Sequence, residues 1–287
     1  MKVLIAVDAA THDLTDDDRC LAEELVRSGM DPEPLLWGGP VPRGAVVVVR
    51  STWDYVHRYE RFLSWLDLLD ASEARVWNTT ATCRWGAHKG YLAALAERGV
   101  STVPTEVVAR RTRPALGELM ATRGWSDAVV KPAVGGTARL AVHVAAAGMA
   151  SAEAHLATVA AREDVIVQPF VSSVAARGEV SVIVVDGEPV AAVEKRARPG
   201  EWRVQSDFGG TVRAVALDDE LRSIVGATTD ALDDDLLYAR VDVVELPDGA
   251  PAVLEVEVVE PELFFSIEPT IAPRFVEGLR RRIAEPR

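Results

Sequence analysis

The chain has 287 residues, more than one hydrophobic core usually holds, so two or three subdomains are expected. Forty-four acids against 31 bases give a net charge of −13. That excludes a general nucleic-acid or polyanionic membrane partner, because phosphate-rich surfaces need a basic footprint, while still allowing a nucleotide held by a few local cations. Cys20 and Cys83 have neither metal-ligand spacing nor a disulfide framework. No stretch approaches the length of a membrane span. The apolar run Val3–Val7 stops at Asp8, too short for a signal-peptide core, so a soluble cytoplasmic protein is the expectation.

In chain order, Val3–Val7 reads as a buried strand and Asp16–Gly29 as a helix, with Leu21, Leu25 and Val26 on one stripe and Gly29 as the stop. Ala45–Val49 is a second strand, Tyr59–Leu69 a helix, and Ala74–Trp77 a third strand ending at Asn78. Alternation of this kind implies a parallel sheet, with ligands collecting beyond the carboxyl ends of its strands. Arg50 and Asn78 fall there. A helix over Arg84–Arg98 carrying Lys89 comes next. Strands follow at Thr105–Val108, Ala128–Lys131, Leu140–Val144 and Val165–Gln168, with a helix at Ala150–Arg162 among them. The last part reads as a hairpin, Val180–Val185 and Pro189–Val193 around Asp186-Gly187, then a helix over Asp218–Leu232. A second hairpin pairs Tyr238–Glu245 with Ala252–Val259 around Pro247-Asp248-Gly249. A C-terminal helix starts near Pro273.

Only four of the 31 bases are lysine: Lys2, Lys89, Lys131 and Lys195. Lys131 closes the run Val129-Val130-Lys131-Pro132 and opens the small-residue loop Val134-Gly135-Gly136-Thr137-Ala138. A point charge beside flexible backbone amides suits polyphosphate. The plain alternative is codon bias toward arginine and a solvated loop charge. Lys195, beside Arg196 and Arg198, reads as a solvated charge at a strand end.

Strand alternation puts Glu255 and Glu257 on one face, roughly 6–7 Å apart, and Arg240 and Asp242 on one face of the partner strand. Carboxylates side by side on an otherwise apolar hairpin repel and resist desolvation. A divalent cation removes that cost, and carboxylates without His or Cys select a hard metal, Mg²⁺ before Ca²⁺ or Zn²⁺. The plain alternative is an acid pair on an edge strand in solvent.

The ordered set Lys89, Lys131-Pro132 with its glycine loop, Gln168-Pro169-Phe170-Val171, Gly178-Glu179, Arg203 with Gly209-Gly210, Arg240-Val241-Asp242 and Leu254-Glu255-Val256-Glu257 resembles the ATP-grasp superfamily, most closely its glutathione-synthetase-like branch. No one motif is diagnostic; their order from about Asn78 to the end is. The resemblance implies an α/β (α+β) ATP-grasp fold: a Rossmann-like preceding domain over 1–80, an N-terminal lobe with its lid over 81–170, and a catalytic lobe over 171–287, two β-rich lobes enclosing ATP. It implies that Lys89 and Lys131 contact ATP phosphates, that Gly135, Gly136 and Thr137 belong to a loop closing over them, and that Gln168, Pro169, Phe170 and Val171 form the adenine hinge. Glu179 matches a ribose-contacting acid, Arg203 an arginine of the substrate and phosphate site, and Arg240 the arginine that stabilises the transferring phosphoryl group. Asp242, Glu255 and Glu257 match the Mg²⁺ ligands, with Mn²⁺ as substitute; the family more often has Asn at the third position.

Glu260-Pro261-Glu262-Leu263-Phe264-Phe265 and Arg50-Ser51-Thr52-Trp53-Asp54-Tyr55 resemble a narrower group that includes the O-ureidoserine cyclo-ligase of cycloserine biosynthesis. This implies substrate contacts from Arg50, Asp54, Tyr55, Arg203 and Glu260. Arg50, at a strand's carboxyl end, suits a carboxylate, whereas Trp53 and Tyr55 could equally be core. The implied activity is an ADP-forming carbon–nitrogen ligase. It activates a small amino-acid-like carboxylate and closes a ring, and a homodimer is compatible with it. Intermolecular ligation, a non-catalytic nucleotide-binding regulator and a phosphotransferase are the competing readings.

Overall fold

The computed structural model describes residues 1–232 and 234–285. The first sheet is built by β1 (Lys2–Val7), α1 (Asp16–Arg27), β2 (Asp31–Leu36), β3 (Val46–Val49), α2 (Tyr59–Ala71) and β4 (Arg75–Trp77). Its order is β2-β1-β3-β4, all parallel. The run of four valines in β3 is buried throughout, as expected for a strand covered on both faces. α1 starts at Thr15, whose side chain accepts from Asp18 N, and Asp16, Asp17 and Asp18 sit at the positive end of its dipole. β2 has no counterpart in the sequence reading. Pro32 and Pro34 argue against a strand, but β2 lies at the sheet edge, where missing N–H groups cost little.

The single helix expected over Arg84–Arg98 is two short ones, α3 (Thr80–Gly86) and α4 (Tyr91–Glu97), with Lys89 in the turn between them. Lys89 N donates to Ala133 O instead of continuing a helical ladder.

Next come β5 (Glu106–Val108), α5 (Leu116–Arg123), β6 (Ala128–Pro132), β7 (Val142–Val144), α6 (Met149–Ala160) and β8 (Val165–Pro169). They form an antiparallel sheet of order β5-β8-β6-β7. α5 and α6 pack on it through Leu116, Met120, Leu156 and Val159. The third layer follows α7 (Ser172–Arg177) and comprises β9 (Glu179–Val185), β10 (Glu188–Arg196), β11 (Thr211–Val215), α8 (Asp219–Leu232), β12 (Tyr238–Glu245) and β13 (Pro251–Glu257). It is a five-stranded antiparallel sheet of order β11-β10-β9-β12-β13. α9 (Ile271–Ala284) returns to pack between α1 and β9.

The first sheet and the five-stranded sheet share their cores. Leu4, Val47, Phe62 and Trp65 belong to one apolar cluster with Val182, Val241 and Val256. Two buried polar residues fasten the seam. Asn78 Nδ2 donates to Tyr238 O and Val258 O, each at 2.8 Å, and its Oδ1 accepts from Leu237 N. The Tyr238 hydroxyl lies 2.6 Å from Val49 O and 3.0 Å from Val259 O. Asn78 is therefore part of the seam rather than of a ligand site at the strand ends.

Candidate active site

A cleft of about 430 Å³ opens between the four-stranded antiparallel sheet and the five-stranded sheet. One wall carries Lys131, at the end of β6, the loop Gly135-Gly136-Thr137, and the end of β8 with Gln168, Pro169, Phe170 and Val171. Gln168 Nε2 donates to Thr105 Oγ1 at 2.9 Å, which ties that wall to the strand before it. The other wall carries Glu179, Lys195, Arg240, Asp242, Glu255, Glu257 and Phe264, and its mouth Arg203, Glu260 and Trp53. Most of the residues singled out in the sequence converge here.

The charge arrangement follows from strand register. Asp242 pairs directly across from Glu255, and Arg240 across from Glu257. The Arg240 guanidinium grips both Asp242 oxygens at 2.9 Å and reaches Glu257 Oε1 at 2.6 Å. Ser181 Oγ donates to Asp242 at 2.5 Å, and Lys195 Nζ sits 3.2 Å away. Burial alone would raise Asp242, but Arg240 and Lys195 outweigh it and hold the carboxyl well below the usual range. Glu255 behaves likewise: burial opposes its charge, but Lys89 Nζ at 2.5 Å and nearby Lys131 pull it down. Glu257 goes the other way. Burial pushes it up to about 7, and the charges of Glu255 and Asp242 work against Arg240.

Lys131 differs from Lys89. Burial lowers it, Glu255 only partly offsets that, and among the described residues no carboxylate lies within ion-pair distance. It is a desolvated cation facing the cleft with no carboxylate in contact among the described residues, the character expected of an anion-binding lysine. At the mouth, Arg203 is held by Glu201, with hydrogen bonds of 3.0 and 2.7 Å, and lies 3.7 Å over the Phe208 ring.

Three expectations change. Lys195 is not a solvated strand-end charge. It is buried, ion-paired to Glu179 directly across the β9–β10 hairpin, and bonded to Asp242. The register shifts by one residue between Pro189 and Ala191, so counting back from the Asp186-Gly187 turn would have set Lys195 opposite Gly178, and the pairing with Glu179 was not legible from the hairpin. Arg50 does not reach the cleft. It is 2 % exposed, pairs with Asp18 at 3.1 Å and Asp17 at 3.2 Å, and packs its guanidinium near Tyr238 and Phe265. Asp54 is also turned away, accepting from Trp37 Nε1 at 2.6 Å and pairing with Arg58. Tyr55 is buried against Phe62, yet its hydroxyl bonds Glu260, which burial and the charge of Glu257 push up to about 8. Trp53 is exposed at the mouth and donates from its indole to Glu260 O at 3.1 Å.

The donor set suits a hard divalent cation: three carboxylates on adjacent strands facing one cleft, with no nitrogen or sulfur among them. Lys89, Lys195 and Arg240 now occupy those oxygens. Among the described residues no three His, Cys, Asp or Glu side chains form a ready metal cage. Oxygens from a bound polyphosphate would complete such a site.

Two β-rich layers closing on a cleft of lysines and carboxylates, with a parallel α/β layer ahead of them, define an ATP-grasp ligase. The chain belongs to the RimK-like ATP-grasp family, whose domain model matches residues 100–265. It is an ADP-forming carbon–nitrogen ligase that uses ATP and a divalent metal. Residues 3–78 match the N-terminal domain of D-cycloserine synthetase DcsG. The chain is 31% identical to the cycloserine biosynthesis protein DcsG of Streptomyces lavendulae, over 97% of this chain and 98% of that one. The crystal structure of D-cycloserine synthetase DcsG superposes with a TM-score of 0.90 at 30% identity, covering 99% and 100% of the two chains. A glutathione synthetase of Parasynechococcus marenigrum (strain WH8102) is 30% identical over 78% of this chain and 76% of its own. No helix among the described residues is long and apolar enough to cross a membrane.

Proposed function

We propose that the enzyme activates the carboxylate of a small amino-acid-like substrate and closes it into a ring, as an O-ureidoserine cyclo-ligase would. The observation that carries this reading is full-length likeness to DcsG in both parts of the chain, including the N-terminal part that the glutathione-synthetase motifs do not cover. Intermolecular ligation is the second reading, favoured by the likeness to a glutathione synthetase.

ATP lies with its adenine along Gln168–Val171 and its phosphates toward Lys89 and Lys131. The loop from Gly135 to Ala138 covers them. Asp242, Glu255 and Glu257 would hold the divalent metal, Mg²⁺ with Mn²⁺ as substitute, which would neutralise phosphate charge. A substrate carboxylate oxygen attacks the γ-phosphorus, and ADP leaves. Arg240 and Arg203 spread the charge of the transferring group. A nitrogen of the same molecule then attacks the acyl carbon, phosphate leaves, and the nitrogen loses its proton. Water must be kept out, or the acyl phosphate is hydrolysed; Trp53 and the glycine loop line the cleft that must close. A small closed site of this kind fits a cytoplasmic enzyme acting on one small molecule.

The test is ADP release screened over amino acids and their ureido and amide derivatives. Stimulation by O-ureidoserine and not by plain amino acids supports the reading. Stimulation only by pairs of amino acids favours intermolecular ligation.

A further inference from the structure

We propose that Asp17 is a positioning residue for phosphoryl transfer, clamping the Leu263–Phe265 segment in the shape that seats Phe264 beside the Arg240 guanidinium. The inference rests on the role proposed for Arg240 and goes beyond the residues of the cleft itself, because Asp17 lies on α1 and lines no part of it.

The geometry is specific. Asp17 Oδ2 accepts from Leu263 N at 3.0 Å, and Oδ1 accepts from Phe265 N at 2.6 Å. These are the two amides flanking Phe264, which has φ +57°. A bulky aromatic in the left-handed region is a backbone outlier. A left-handed residue can turn the amides around it toward one side, making a concavity for an anion. Here the anion is the protein's own buried carboxylate.

What the clamp holds is part of the cleft lining. The Phe264 ring lines the cleft, and the Arg240 guanidinium lies 6.0 Å from its centroid. Arg240 Nη1 also donates to Glu262 O, just before the clamped residues, at 3.4 Å. On its far side the same guanidinium holds Asp242 and Glu257. Arg240 is thus fixed between the carboxylates and the Glu262–Phe264 turn, and the turn is fixed by Asp17. Arg50 supplies the counter-charge that lets Asp17 remain buried.

Asp18 is a built-in control. It shares Arg50 and also accepts from Ser51, but among the described residues it makes no hydrogen bond to the Leu263–Phe265 segment. Asp17→Asn and Asp18→Asn each weaken the Arg50 network; only the first breaks the clamp. With O-ureidoserine and ATP, Asp17→Asn is expected to lower kcat by about 10- to 100-fold with KM for ATP unchanged. Asp18→Asn is expected to lower Tm comparably and leave kcat within about twofold of wild type. Amide hydrogen exchange, read without substrate, should lose protection at Leu263 and Phe265 in Asp17→Asn alone. Phe264→Gly reads the claim from the other end, since glycine reaches the same angle without a clamp. It should lose kcat on its own, and adding Asp17→Asn should lower kcat no further. Equal kcat losses in Asp17→Asn and Asp18→Asn that track Tm, equal exchange at residues 263–265 in the two, or additive losses with Phe264→Gly would each overturn the proposal. Failure of wild type to use O-ureidoserine would count against the functional reading alone, because the exchange measurement still decides whether the clamp exists.

Discussion

Asp242 and Glu257 touch the same guanidinium, yet one carboxyl is held down and the other pushed up to about 7. The difference lies in the number of partners. Asp242 has Arg240 on both oxygens, plus Lys195 and Ser181, whereas Glu257 has one contact to Arg240 and two acidic neighbours. Glu257 is therefore the carboxylate with most to gain from a divalent cation. Glu257→Gln should lower turnover at least about tenfold, roughly 1.4 kcal/mol of barrier, while ATP-analogue affinity in calorimetry changes little. Near-normal rates at low Mg²⁺ would remove Glu257 from the metal site. Glu260 gives a pH prediction. Its carboxyl stands at about 8 in the folded protein against a usual 4.5. Between those values the folded state keeps a proton that the unfolded state has lost, so stability falls as pH rises through the window. Glu260→Gln does not titrate, so its Tm relative to wild type should climb from pH 5 to pH 8 in the nucleotide-free enzyme. A difference independent of pH would mean that Glu260 is not held protonated. Arg50→Ala is now a stability experiment. Removing the cation strands two buried carboxylates, at a cost of about 3–5 kcal/mol, visible as a lower denaturation midpoint. An intact midpoint with a raised substrate KM would restore Arg50 to the substrate site.

Among the elements, those with a strong local signal were legible and those settled by tertiary contact were not. The β12–β13 hairpin was readable from its alternation and its Pro247-Asp248-Gly249 turn, as were the Glu255/Glu257 and Arg240/Asp242 faces, but the register shift at Asp242/Val243 that sets Asp242 opposite Glu255 was not. β2 was not, because two prolines mask an edge strand. The break between α3 and α4 depends on Ala133 taking the Lys89 amide, a contact that local sequence does not encode. Arg50 was misread for a related reason. It does lie at a strand end, but residues 258–265 run over that end and α1 supplies the counter-charges. The mouth element from Trp202 to Gly210 carries its own test. A Cβ on Gly210 would collide with the Val204 carbonyl, so the turn that holds Arg203 cannot close with alanine there. Gly210→Ala should lower kcat several-fold, about 1 kcal/mol, with little change in Tm because the turn lies outside the main core clusters. Unchanged kcat would separate Arg203 from the transfer step.

For the whole molecule, the first sheet is continuous with the catalytic sheet through shared core and the Asn78 and Tyr238 bridges, while the β5–β8 layer has a core of its own. The cleft therefore has one wall built into the larger body and one wall built on the separate layer. Among the described residues of the first 80, Trp53, just after β3, is the one that lines the cleft. That leaves little lining for a second acceptor, which agrees with a substrate folding onto itself, where tethering replaces the binding of a separate amine. The most direct measurement supplies O-ureidoserine, ATP and Mg²⁺ with no added amine and follows ADP together with product mass. The account predicts ADP formation with a cyclic product lighter than the substrate. Turnover only when a second amine is added, with a product mass equal to the sum of both less water, would contradict it.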